Sequence, residues 1–414
     1  MRKLACISGF FFLLVHLAHA RIIEVYPGNA IQTAIDKATP FDTVLFHPGR
    51  YKTTGLKILK PISIQGKGFP VLDGEMVCQP LSVESNYVSI SGLKIVGTGN
   101  NSIEDWAAIK VYNSHHIYIY NNQFEANFFA VYLSNCEDVV VSGNKMQAES
   151  SLEQTSGNGV HAWKCQRLTI KYNRISGHRD GIYFEFVENS YVKNNHCEKN
   201  NRYGLHFMFS HDDHYEGNAF INNGAGVAVM YSRHVQMNNN MFDDNRGASA
   251  YGLLLKEMSD CSIVQNRFKG NTTGILMEGC TRSTLRNNQF SANGWAIKVQ
   301  ASCLDNLFEA NNFVGNTFDV ATNSKKLYNT FSKNYWDKYE GYDLNRDGVG
   351  DVPFRPVSLF SVLSEEMPYS MMLWRSFSVY LLDRAEKVIP SISPDNLLDN
   401  EPRMQAYDSV SGNK

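Results

Sequence analysis

Apolar and polar residues alternate along most of this chain in short runs, interrupted at regular intervals by asparagine or glycine. Two kinds of run recur. One has the form V-x-I-x-x-N-x-F, as in Ile117 to Phe124, Val139 to Met146, Leu168 to Ile175 and Ile263 to Phe268. The other opens on a small residue, as in Gly181-Ile182-Tyr183-Phe184, Gly204-Leu205-His206-Phe207 and Gly274-Ile275-Leu276-Met277. Period-two alternation predicts strands that each bury one face.

Asparagine sets a longer period. The series Asn122, Asn144, Asn173, Asn195, Asn218, Asn240, Asn266, Asn288, Asn312 and Asn334 advances by roughly 22 residues at a time, with extra residues in polar insertions such as 148–156 and 246–250. Self-similarity at a fixed period marks a solenoid. Strands that return in the same sense must stack as parallel sheets, about 4.8 Å apart. No helix recurs within the period, so a leucine-rich horseshoe is excluded. The predicted fold is an all-β, right-handed parallel β-helix with coils of about 22 residues. It is firmest from Tyr87 to Trp336 and extends over residues 21–336. Glycine is expected at tight corners. Asparagine is expected to take a left-handed backbone and to bond its neighbours in adjacent coils.

A solenoid needs caps at both ends. The segment Ala30 to Ala38 has helical spacing and precedes the first strands, so it is expected to cover the N-terminal end. After Trp336 the pattern changes. An acidic loop, 337–355, leads to an apolar, helix-prone extension, 356–390, interrupted by Pro368. Residues 391–414 are polar and proline-containing, and are expected to be disordered. Residues 1–20 read as a secretory signal peptide: Arg2 and Lys3, an apolar run from Leu4 to Leu17, and Ala18-His19-Ala20 as the cleavage site. The mature chain is then exported and begins at Arg21. The seven cysteines beyond Cys6 are odd in number and include no CxxC pair, which argues against a disulfide framework or a zinc site. A net charge of −2 gives no reason to expect a nucleic-acid partner.

Four groups could carry chemistry. Counting outward positions from the small residue places His161, Tyr183, His206 and Ala228 on one outer column, with Trp163, Glu185, Met208 and Met230 two places further along. His206, Met208 and Met230, with His211 and His214 just beyond, combine thioether and imidazole donors suited to Cu(I). The alternative is that they decorate a solvated or partner-covered sheet. Next, Ser210-His211-Asp212-Asp213-His214-Tyr215 and His178-Arg179-Asp180 hold the residue types of a uronate lyase or epimerase. No HExxH, GxSxG or phosphate loop is present, and basic residues near the stripe are sparse, so a non-enzymatic reading is preferred. Third, Asp343, Asn345, Asp347 and Asp351 follow the spacing of a calcium loop but lack its last glutamate, Phe354 standing there. Either they hold calcium weakly or they cap local backbone amides. Fourth, Met371, Met372, Trp374, Phe377, Tyr380 and Leu381 make the extension too apolar for a free surface helix, yet too interrupted for a membrane span. They either plug the solenoid or bind a partner.

Three stretches carry a family resemblance: Arg202 to Asp213, Asn334-Tyr335-Trp336-Asp337 with the Asp343–Asp351 loop, and Ser364 to Ser370. They resemble the NosD family, periplasmic proteins required to mature nitrous oxide reductase. The resemblance runs over essentially the whole mature chain. It implies a non-enzymatic assembly role in building a copper–sulfide centre, with copper handled transiently. The implied partners are an ABC-type transporter of permease and ATPase, a copper chaperone lipoprotein and apo nitrous oxide reductase. Membrane association would be through the permease, docked by the C-terminal extension. Alternatives from other classes are a polysaccharide-binding or uronate-modifying β-helix protein and a passive docking scaffold.

Overall fold

The computed structural model describes residues 20–99, 104–149, 156–323, 328–389 and 397–408; the segment expected to be a signal peptide, apart from Ala20, lies outside them. The described chain winds as a right-handed parallel β-helix. Three sheets of 14, 12 and 13 strands run its length, and every strand pairs in parallel with its equivalents one coil away. One coil visits the three in turn, as in Ala107–Tyr112 on the 12-stranded sheet, His115–Tyr120 on the 14-stranded sheet and Gln123–Glu125 on the 13-stranded sheet.

The interior is filled by like residues stacked on like. Phe220, Phe242, Phe268, Phe290, Phe313 and Trp336 form one continuous column, with ring centroids 4.1–5.5 Å apart. All six are almost fully buried, each ring removing an area worth about 2–3 kcal/mol from water. The corners are held by polar ladders. Asn195, for example, donates its backbone N–H and its side-chain amide to Asn218 Oδ1, at 2.9 and 3.0 Å, and its side-chain amide also reaches the Ile170 carbonyl. The same pattern links Asn122 through Asn334, which satisfies corner amides that no strand can pair.

Two details differ from the sequence reading. The residue that takes the left-handed backbone is the one before each ladder asparagine: Asn121, Tyr172, Asn194, Asn239, Gln265, Asn287 and Lys333 all have φ between 52° and 57°. The ladder asparagine turns its side chain inward instead, so its role is hydrogen bonding. Near the C-terminal end the ladder passes through Asn311, while its neighbour Asn312 bonds the Tyr407 backbone. A second ladder, unpredicted, runs five residues behind the first through Asn200, Asn223, Asn245, Asn271, Asn293 and Asn316.

Helix α1 (Ile31–Lys37) lies against the first strands and buries Ile31 and Ile35, capping the N-terminal end. The C-terminal end is closed otherwise than expected. Phe354 packs on Trp336, and Val357 and Leu397 join the core there. The described part of the tail, 397–408, is ordered, which corrects the expectation of disorder. Asp399 receives the Asn334 backbone N–H and side-chain amide and the Trp336 indole N–H on one carboxylate oxygen, ending the ladder with a group that can only accept. The helices stand outside this plug. Helix α2 (Leu359–Glu366), a 3₁₀ turn (Pro368–Leu373) and helix α3 (Phe377–Val388) pack on the outer face of the last coil through Phe318, Phe360, Trp374 and Val379.

Candidate functional site

Alternation along the 12-stranded sheet sends every second side chain outward, and parallel register turns these into columns. One column contains Lys110, Tyr132, His161, Tyr183, His206 and Ala228. The next contains Ser134, Trp163, Glu185, Met208, Met230 and Lys256. The outward assignment of His161, Tyr183, His206, Met208 and Met230 therefore agrees with the register.

Facing outward did not leave His206 open. It is only 3% exposed. Its ring meets the edge of Tyr183 at 5.0 Å and lies beside Tyr203 at 4.9 Å. Its Nδ1 is 3.2 Å from the Arg202 guanidinium and 3.5 Å from the fully buried carboxylate of Asp180. Tyr251 reaches over from two coils away and donates its hydroxyl to that of Tyr203 at 3.1 Å. The imidazole belongs to a sealed ionic cluster. Further up the column the rings of Tyr132, His161 and Tyr183 stack face to face, 4.5 and 4.7 Å apart. Burial, with a smaller contribution from Arg179, pushes the His161 pKa down to about 3; burial, then the Glu185 carboxylate, pushes the Tyr183 phenol up to about 12.

The other two histidines lie elsewhere. The chain turns a corner at Ser210, so His214 sits on the 14-stranded sheet, stacked on Tyr191 at 4.9 Å. His211 is at the corner, bridged to Glu188, and burial foremost lowers its pKa. Hence the expected cluster of His206, Met208, His211, His214 and Met230 is not one site. Proximity in sequence is lost where the coil changes sheets. Among the described residues no group of three or more His, Cys, Asp or Glu side chains could hold a metal ion. What remains together is Met208 and Met230, in register on adjacent strands and partly exposed. Beside them runs an exposed stack unseen in the sequence: Phe186, Phe209 and Tyr231, with centroids 5.3 and 5.0 Å apart.

The lyase-like residues are also dispersed. Asp213 and Tyr215 are buried and bonded to each other at 3.2 Å, and burial raises both pKa values. Asp213 accepts the Ser190 backbone N–H, a corner role like that of the asparagines.

Residues 147–341 match the family model described as NosD, periplasmic copper-binding protein. Two curated relatives, from Stutzerimonas stutzeri and Pseudomonas aeruginosa, are both described as probable ABC transporter binding protein NosD. They are 25% and 27% identical to this chain over 306 and 376 residues, covering 69% and 86% of it and 69% and 87% of their own length. The chain is NosD-like. Among solved structures, a GH87 α-1,3-glucanase catalytic domain in complex with tetrasaccharides matches with a TM-score of 0.62 at 11% identity, covering 77% of this chain and 69% of that one. A mutant of the periplasmic alginate epimerase AlgG matches with a TM-score of 0.52 at 13% identity, over 75% and 83%. At such identities the likeness is one of fold.

In this NosD-like chain the acidic loop is organised by its own amides. Asp343 accepts the backbone N–H groups of Arg346, Asp347 and Gly348; Asn345 accepts that of Asp347; Asp347 accepts that of Val349; Asp351 accepts that of Leu344. Of the two uses expected for these carboxylates, this geometry is capping. The NosD-like extension divides its apolar residues in two. Met371 and Trp374 pack inward beside Phe318 and Phe360, and Lys298 pairs with Glu365 at 2.6 Å beneath them. Met372, Phe377, Tyr380 and Leu381 remain exposed, at 87%, 73%, 52% and 50%. No helix among the described residues is long and apolar enough to cross a membrane.

Proposed function

We propose that this chain is a periplasmic accessory protein that works with an ABC-type transporter to supply copper for the copper–sulfide centre of nitrous oxide reductase. The observation that carries this reading is the divided helical extension. One side is fastened to the last coil through Trp374, Phe360 and Val379, and the other shows Met372, Phe377, Tyr380 and Leu381 to solvent. An apolar surface of that kind on an exported protein is favourable only when a partner covers it. The relatives described as ABC transporter binding proteins support the transporter permease as that partner. The family description as copper-binding supports copper as cargo. The stacked coils then serve as a rigid arm between the permease and the copper chaperone or apo-reductase. The chain itself performs no catalysis in this reading; the energy comes from the ATPase across the membrane.

The test is co-purification of the full chain with the permease and ATPase from membranes. Replacing Phe377 and Leu381 together by Glu is expected to abolish recovery of the transporter while the β-sheet circular dichroism is unchanged. Undiminished recovery with a folded variant would overturn the docking role.

A further inference from the structure

The column Ser134, Trp163, Glu185, Met208, Met230, Lys256, Glu278 is polar or charged at most positions, as an outer sheet face should be. Two thioethers interrupt it on consecutive coils, and both are partly exposed. The residues that follow them, Phe209 and Tyr231, belong to the exposed aromatic stack and take left-handed backbone, with φ of 50° and 54°. Phe186 at the head of the stack does the same at 54°. This is a conformation where glycine or asparagine is at ease and a bulky ring is strained. The left-handed backbone recurs at this corner along the stack, since Asn113, Asn135, Lys164 and Glu257 take it too; what is particular here is that three large exposed rings occupy it on consecutive coils. An exposed aromatic row beside a partly exposed thioether pair, on a face that is otherwise largely polar, is the kind of patch that accompanies a site.

The geometry points to a specific ligand. Parallel strands are about 4.8 Å apart, and a soft metal ion bound between two sulfurs at about 2.3 Å each spans nearly that distance. Methionine is soft and uncharged, so the pair favours Cu(I) over Cu(II), zinc or any hard cation. Two neutral donors hold the ion loosely, which suits a cargo that must be passed on. His206, sealed by Arg202 and Tyr203, takes no part. We infer that Met208 and Met230 form a two-thioether seat for one Cu(I) ion, flanked by Phe209 and Tyr231, on the outer face of the β-helix. This rests on the copper-supply reading above and names the residues at which the cargo touches this chain.

The experiment is an anaerobic titration of the purified mature chain with Cu(I) against bicinchoninate, with X-ray absorption on the loaded protein. One Cu(I) per chain with two sulfur neighbours is expected. Met208→Leu and Met230→Leu, which keep size and apolarity, should each weaken binding at least tenfold, and the double variant should take up no stoichiometric copper. A wild-type chain that takes up no Cu(I), a nitrogen-dominated absorption spectrum, or a double variant that binds like wild type would overturn the inference. Transporter co-purification of the double variant is measured alongside. If it persists while copper uptake is unaffected by the substitutions, the seat is wrong and the transporter-linked reading stands.

Discussion

The stacked coils and the helical extension solve the same problem in opposite ways. In the coils, a polar or apolar group finds its partner in its own equivalent one coil away: Asn218 in Asn240, Phe268 in Phe290. In the extension, α2 and α3 satisfy their backbones internally, with Ser358 and Ser376 accepting the N–H groups of Ser361 and Val379 as caps. Helices built this way need only one side packed, and the other is left free to be recognised. Repetition confers rigidity but distributes its groups evenly; departure from repetition is where a partner-specific surface can arise. The Met208–Met230 pair obeys the same rule on a smaller scale, as an apolar interruption of a polar column.

The comparison can be broken most severely inside the ladder. Asn218→Leu would leave the Asn195 backbone N–H and one N–H of the Asn195 amide buried without partners, and would take the Asn218 amide away from the Val192 carbonyl. At 1–3 kcal/mol for each orphaned group, a loss of about 5 kcal/mol is expected in urea unfolding. A smaller and pH-dependent effect is expected where the second ladder is imperfect. His178 begins it, bonding Asn200 through its backbone N–H, but both ring nitrogens are buried with no hydrogen-bond partner and burial lowers its pKa to about 4. An unfolded histidine titrates near 6.5, so below that pH the unfolded chain binds a proton that the folded chain refuses. Stability therefore falls as pH drops from 6.5 toward 4, by about 2 kcal/mol between pH 7 and pH 5. His178→Asn, the residue the following coils carry, should flatten that dependence in urea midpoints measured across the same range. The smallest effect belongs to the extension. Phe377→Ser removes a side chain that is 73% exposed, so unfolding should change by no more than about 0.5 kcal/mol, although transporter recovery falls. A large stability loss there would show that the helices are part of the coil stack and erase the distinction.

What the sequence displayed, and what it concealed, follows the same division. The 22-residue period and the alternation beside Asn195, Asn218 and Asn240 are enough to place the core face and to send Tyr183, Met208 and Met230 outward. The second ladder was also visible, as an asparagine five residues after the first at 195/200, 218/223, 240/245 and 288/293. Register between Asn311 and Asn312 was not, since two asparagines in a row satisfy the pattern equally. The sealing of His206 depends on Arg202, Tyr203 and Tyr251 folding over it, a tertiary event with no period. The separation of His206 from His214 depends on a corner whose position is set by a left-handed Asp212. Asp399 was hidden for a different reason. It completes a ladder whose previous rung, Asn334, lies 65 residues earlier.

That last rung has a mechanical side. Phe354 and Asp399 exchange both backbone hydrogen bonds, each at 2.9 Å, so the chain leaving for the helices and the chain returning from them are pinned side by side. The extension is thus a lever mounted on a clamp. Torque applied to the helices reaches the stack both through their packing on Phe318 and through the clamp, one jaw of which is Asp399, bonded directly to Asn334 and Trp336. From there the load enters a line of asparagines that continues back to Asn122, running beneath the coils that carry Met208 and Met230. Severing the chain before residue 397 would release one jaw, leaving the helices joined to the stack through their packing on Phe318 and the Lys298–Glu365 pair.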